Sequence, residues 1–163
     1  MKLERKYLVL ATIACLVVVL DQITKLYVHA NFSLGESVPV IQDIFHITYV
    51  RNIGAAFGIL RDSPPAFRET FFLSMPPIAM IVILMMLKGV ESSDRWQVFA
   101  LSLIFGGAIG NYIDRLRFGF VIDFLDFHYK DVWSYPAFNV ADSGIVVGVM
   151  LLLGIMTFRK QES

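Results

Sequence analysis

A chain of 163 residues, 56% hydrophobic and only 17% charged, with a mean hydropathy of +0.65, is too apolar for a soluble globule, where charged residues make up roughly 25%. Its 14 basic and 14 acidic side chains cancel, so no basic surface is available for a nucleic-acid backbone and no nucleic-acid partner is expected. A single cysteine, Cys15, excludes an internal disulfide framework and a multi-cysteine metal site.

One membrane-embedded domain over residues 1–163 is the expected organisation. Residues 7–20, 71–87, 96–113 and 143–158 are free of charge. A bilayer-spanning helix needs about 20 predominantly apolar residues, so the first and last stretches must absorb charges. Spans are predicted over about 7–28, 68–88, 96–115 and 138–158, the first taking in Asp21 and Lys25 and the last Asp142. At the N-terminus, residues 1–6 look like the basic region of a secretory signal. The apolar run, however, continues past Cys15 through 16–20 with no polar break, so a retained span is expected, with Cys15 a small buried apolar residue.

After the first span, residues 38–50 (VPVIQDIFHITYV) are β-branched and aromatic with partial alternation at Phe45, Ile47 and Tyr49, which predicts a short strand. Residues 52–60 then read as a loop leading into a helical turn, a candidate lid over a site beside the membrane. The second and third spans follow. Gly106 and Gly110 in the third have small-xxx-small spacing, which predicts close helix packing. Residues 120–129 (FVIDFLDFHY) predict another strand, pairing with the first in a small sheet lying on the membrane. Aromatic residues from Phe118 to Phe138 fit an interfacial belt.

Basic residues set the orientation. With both termini on the cytoplasmic side, the short inner segments 1–6, 88–95 and 159–163 hold Lys2, Arg5, Lys6, Lys88, Arg95, Arg159 and Lys160. The much longer outer connections, 29–67 and 117–137, hold only Arg51, Arg61, Arg117 and Lys130. In this topology Asp21, Lys25, Asn52, Asn111, Asp114, Arg115, Asp123, Asn139 and Asp142 all fall at the outer leaflet. Ionisable groups in a span cost about 2.5–3.5 kcal/mol each and persist mainly where they pair or function. Asp21 and Lys25 are i, i+4 and read as a structural pair reaching toward the interface; Asp114 with Arg115 reads as scaffolding, with Arg115 a donor holding a carboxylate.

The chemistry available is narrow. His29, His46 and His128 are scattered without zinc-protease spacing, so no metal and no cofactor is expected, and neither a serine elbow nor a phosphate loop occurs. Carboxylates remain. Asp123 and Asp142 are the best placed, and two held close share a proton, so that one takes a proton from water while the other donates. Which of them holds the proton is left open.

The motifs DQITK (21–25), NIGAAF (52–57), GGAIGNYIDR (106–115), VIDF (121–124) and FNVAD (138–142) occur in the order found in bacterial lipoprotein signal peptidases, the signal peptidase II family, and the resemblance covers essentially the whole chain. It implies an α-helical integral membrane protein of the bacterial inner membrane, with four transmembrane helices and a small β-sheet element and short loop or helix on the periplasmic face. The implied activity is that of an aspartic endopeptidase cutting diacylglyceryl-modified prolipoproteins just before the lipidated cysteine, with sensitivity to globomycin-type cyclic peptides. Carried over by motif, Asp123 and Asp142 are the catalytic pair. Asn52, Gly54, Asn111, Arg115 and Asn139 are substrate-binding or supporting positions, and Asp21 with Lys25 is a structural polar pair. The alternative is a small proton-coupled transporter or channel using intramembrane carboxylates, against which stands the absence of charged residues from the apolar runs of the inner halves of the four helices.

Overall fold

A computed structural model describes residues 4–54, 60, 63–130 and 132–161. The most apolar segments become four long helices: α1 (Arg5–Asn31), α2 (Pro65–Gly89), α3 (Arg95–Phe118) and α4 (Val140–Gln161). Each is long and apolar enough to cross a membrane. Local chemistry sets several of their ends. Proline stands at the start of α2. The Asp94 side chain caps α3 by accepting from the Gln97 N–H at 3.2 Å, and Gly119 closes that helix at φ 75°, a left-handed conformation that costs glycine little. At the opposite end of α2, the buried Lys6 ammonium donates to the Lys88 and Val90 carbonyls at 3.0 and 2.8 Å, closing a helix terminus whose carbonyls lack partners.

The central helix is α3, which packs against the other three. Small residues bring the backbones together. A Cβ on Gly106 would stand 2.9 Å from the Ala14 Cα of α1, and one on Gly107 2.3 Å from the Ala141 carbonyl of α4. On the facing helix, a Cβ on Gly148 would stand 2.6 Å from the Ala100 carbonyl, so α3 and α4 are fitted from both sides. Cys15 differs from expectation. It is exposed on the outer face of α1, because the inward stripe of that helix runs through Leu10, Ala14, Val17 and Asp21. A span's outward residues meet lipid, so an apolar cysteine is tolerated there without protein packing.

Four strands follow the order β1 (Ser37–Ile41), β2 (Phe45–Asn52), β3 (Val121–Tyr129) and β4 (Trp133–Ser134), all antiparallel. The single strand expected over 38–50 is a hairpin, broken at 42–44, where Asp43 takes φ 62°. Continuous β propensity masks that turn, and an aspartate tolerates the left-handed conformation it needs. The sheet sits over the end of the bundle at which α1 and α3 finish and α4 begins. It is joined there by an apolar cluster of Val28, Tyr49, Ile122 and Phe124 with Phe32, Phe118, Phe120 and Val140 around it. α4 starts at Val140 instead of 138 because Phe138 is still tied to the sheet, exchanging backbone hydrogen bonds with Leu125 at 2.8 and 3.1 Å.

Candidate active site

Under the sheet lies a cavity of about 880 Å³, within the range of ligand pockets. Asn52, Asn111, Arg115, Asp123 and Asp142 contribute its polar wall, and Val146, Val147, Phe138 and Trp133 are among its apolar residues. The structure therefore brings together both carboxylates and three of the supporting residues named from the sequence. Asn139 is fully buried immediately behind them, and Gly54 is buried beside Arg115.

Each carboxylate is held by amide donors. Asp123, on β3, accepts from Asn52 Nδ2 at 3.0 Å and from Asn139 Nδ2 at 2.6 Å. Asp142, in the first turn of α4, accepts from Asn111 Nδ2 at 2.7 Å and from the Asn139 N–H at 3.3 Å. The orientation of all three side-chain amides follows from partners that only donate. Asn111 Oδ1 accepts from the Lys25 ammonium at 2.9 Å, Asn139 Oδ1 from the Asp142 N–H at 2.9 Å, and Asn52 Oδ1 from the Gly54 N–H at 2.9 Å. With every oxygen so engaged, every NH₂ must face a carboxylate. Asn139 is also the cap of α4, since it and Asp142 satisfy one another's backbone N–H groups reciprocally.

Burial pushes the Asp123 carboxyl up to about 7, and the negative charge of Asp142 adds to the shift; the Asn52 and Asn139 donors act in the opposite direction. A carboxyl poised there exchanges a proton near neutrality.

A second polar layer supports the first. Lys25 spends its remaining two N–H donors on Asp21 at 2.8 Å and Asp114 at 3.1 Å, with all three side chains essentially out of contact with solvent. The pair thus turns inward to α3 and does not reach for the interface, because α3 supplies the acceptors. Asp21 also accepts from the Ala141 N–H at 2.8 Å, one of the unpaired donors at the start of α4, and Asp114 accepts from the Ile122 N–H at 3.0 Å at the start of β3. Each carboxylate so positions the element that carries one of the cavity aspartates.

Two further arrangements depart from what the sequence suggested. Arg115 does not hold Asp114. Its guanidinium lies 4.8 Å from the Phe72 ring centroid and donates to the Gly54 and Asn111 carbonyls at 3.3 and 3.4 Å. Adjacent residues on a helix point in different directions, and Lys25 already occupies the Asp114 side. The histidines are also not all scattered: His46 and His128 meet on the sheet face away from the cavity, their ring centroids 4.3 Å apart. Gln22, part of the DQITK motif but not singled out within it, donates to Asp114 at 2.9 Å and to the Gly110 carbonyl at 3.2 Å. Its place beside Asp21 in that motif is the signal that could have found it. Of the lid expected over 52–60, residues 55–59 lie outside the described residues.

A family model described as signal peptidase (SPase) II matches residues 13–158. The lipoprotein signal peptidase of Syntrophus aciditrophicus is 49% identical over 149 residues, 91% of this chain and 92% of that protein. That of Geobacter metallireducens is 43% identical over 162 residues, covering 99% of this chain and 98% of its own. A solved bacterial membrane enzyme, determined in meso at 2.3 Å, superposes with a TM-score of 0.80 at 36% identity, covering 94% of this chain and 89% of its own.

Proposed function

The chain belongs to the signal peptidase II family, and from that premise we propose that it is an aspartic endopeptidase that removes the signal peptide of diacylglyceryl-modified prolipoproteins just before the lipidated cysteine. The observation that carries this reading is the pair Asp123 and Asp142 on one cavity wall, each carboxylate held by amide donors whose orientation is fixed. Ser143 also lines the cavity, but its hydroxyl donates to the Asn139 carbonyl at 3.0 Å.

The two carboxyls of the resting site share one proton, which we assign to Asp123, whose carboxyl is raised to about 7. Asp142 takes a proton from the attacking water while Asp123 donates to the scissile carbonyl oxygen. The tetrahedral intermediate then collapses as Asp142 gives the proton it took to the leaving amine and Asp123 recovers one from the intermediate's hydroxyl. The four amide contacts keep both carboxyls still while protons pass between them and the reacting groups. Acyl chains of the substrate lie along the apolar lining at Val146 and Val147, and the peptide crosses the polar wall beside Arg115. A globomycin-type cyclic peptide is expected to block cleavage by occupying the same cavity. The direct experiment is cleavage of a purified diacylated prolipoprotein by the purified chain in detergent, read as a gel shift. No shift with folded protein would overturn the reading.

The same proposal places the cavity on the periplasmic side of the inner membrane with both termini cytoplasmic, because basic residues concentrate in the segments at the opposite end. Single cysteines introduced near Ser63 and Lys130 are expected to label from outside, and those near Ser92 only from inside. The reverse labelling pattern would put the cavity on the wrong side for an exported substrate.

Strong chelators are expected to leave cleavage unchanged at temperatures well below unfolding, because the cavity wall presents carboxylates and amides without histidine or cysteine ligands. Loss of cleavage with a chelator, restored by zinc, would remove the carboxylate mechanism.

A further inference from the structure

The sheet has a second chemical face. Antiparallel register sets His46 of β2 directly opposite Asp126 of β3, and strand alternation places His128, two residues on, on the same side. The cavity is lined from the other side of β3, by Asp123 and Phe127. His46, Asp126 and His128 each offer a ligand atom, and these atoms lie within 4.8 Å of one another. Zinc bonds to histidine and carboxylate are about 2.0–2.2 Å long, which sets tetrahedral ligands about 3.3–3.5 Å apart, within reach of small side-chain rotations on adjacent strands.

Hydrogen bonding independently singles out one of the three. His46 Nε2 is shielded from solvent and is without a hydrogen-bond partner among the described residues, a costly state for a polar nitrogen. Its other nitrogen, Nδ1, lies 3.0 Å from Ser37 Oγ. With Nδ1–H donating to Ser37, Nε2 presents a free lone pair, the tautomer that a metal-bound imidazole takes when a neighbouring acceptor orients its ring. Asp126 is oriented too, accepting from Thr48 Oγ1 at 3.4 Å and lying 3.5 Å from His128 Nδ1.

We propose that His46, Asp126 and His128 form a binding site for a divalent transition-metal ion of the zinc class on the face of the sheet opposite the cavity. Two imidazoles and a carboxylate suit zinc, leaving a fourth position for water. The ion would tie β2 to β3, the strands that bear Asn52 and Asp123, so its effect is on the stability of the sheet and not on the chemistry in the cavity.

The test uses the full chain in detergent, without a histidine tag and stripped with chelator, titrated with Zn²⁺ by calorimetry. Saturable binding of one ion per chain is expected, with a Tm that rises as the site fills. His46→Gln and His128→Gln are each expected to weaken binding about tenfold or more, while His29→Gln, outside the cluster, leaves it unchanged. Absence of saturable binding, or binding equal in wild type and both cluster variants, would overturn the proposal. If the variants fail to fold, Co²⁺ added to the wild type decides. Visible bands of a four- or five-coordinate ion support the site, and the spectrum of free aqueous Co²⁺ defeats it. Cleavage in chelator reads the cavity separately, so failure here leaves the peptidase reading untouched.

Discussion

Asp123→Asn and Asp142→Asn are each expected to lower cleavage by about 10³-fold or more, at the upper end of what a general acid–base group contributes, in protein that remains folded and monodisperse. Asparagine keeps the shape and accepts at one position, but it cannot exchange the proton that the pair shares. The double variant should cost little more than either single one, since groups acting as a unit are not additive. Folding survives because an amide is uncharged and matches the carboxyl group in size and shape.

The pH dependence gives the same prediction a sign. Asp123 has its carboxyl raised by burial and by Asp142 to about 7 from 3.8. A raised carboxyl contributes stability that is fully present below the unfolded value of 3.8 and is lost as pH rises through about 7. The Tm of Asp123→Asn should therefore gain on that of the wild type as pH rises from 3.8 to about 7, and hold a constant offset above that. Wild-type kcat/KM should fall above about pH 7, where Asp123 loses its proton. A folded variant at either position that cleaves at near wild-type rate would sink the assignment of the pair.

The second large effect concerns Lys25. Lys25→Met is expected to destabilise the chain by about 3–5 kcal/mol, the range for removing one partner of a buried ion pair. Its ammonium is shared between Asp21 and Asp114, which are shielded from solvent and would be left uncompensated. The loss also frees the Asn111 amide, whose oxygen Lys25 holds and whose nitrogen faces Asp142, so cleavage should fall in whatever protein folds. Adding Asp21→Asn to Lys25→Met should recover part of the stability, because one of the two stranded charges is gone. Thermal unfolding of the three variants in one detergent measures this. A Lys25→Met protein as stable as wild type would mean that the triad is solvated in the membrane-embedded protein and does not bear on the fold.

The placement of the spans and the gathering of polar residues at one end were legible in the sequence because both rest on local quantities. A run of apolar residues long enough to cross a bilayer forms a helix wherever it stands, since its backbone has no other partner in lipid. A charge within such a run is costly enough to mark itself. Asp21, Lys25, Asn111, Asp114 and Asp142 could therefore be read as members of one region before any contact was known.

Tertiary structure alone decided which atom meets which. The inward turn of Lys25 depends on how closely α3 approaches α1, and that distance is set by Gly106 and Gly110, where no side chain intervenes. The departure of Arg115 toward Gly54 depends on the same helix rotation. The hairpin at Asp43 was hidden because β propensity runs continuously through the residues flanking it. His46, Asp126 and His128 come together only through the strand register that pairs Phe45 with Phe127 and His46 with Asp126. A slip of one residue would send each side chain to the opposite face, so these proximities exist only once the strands have paired.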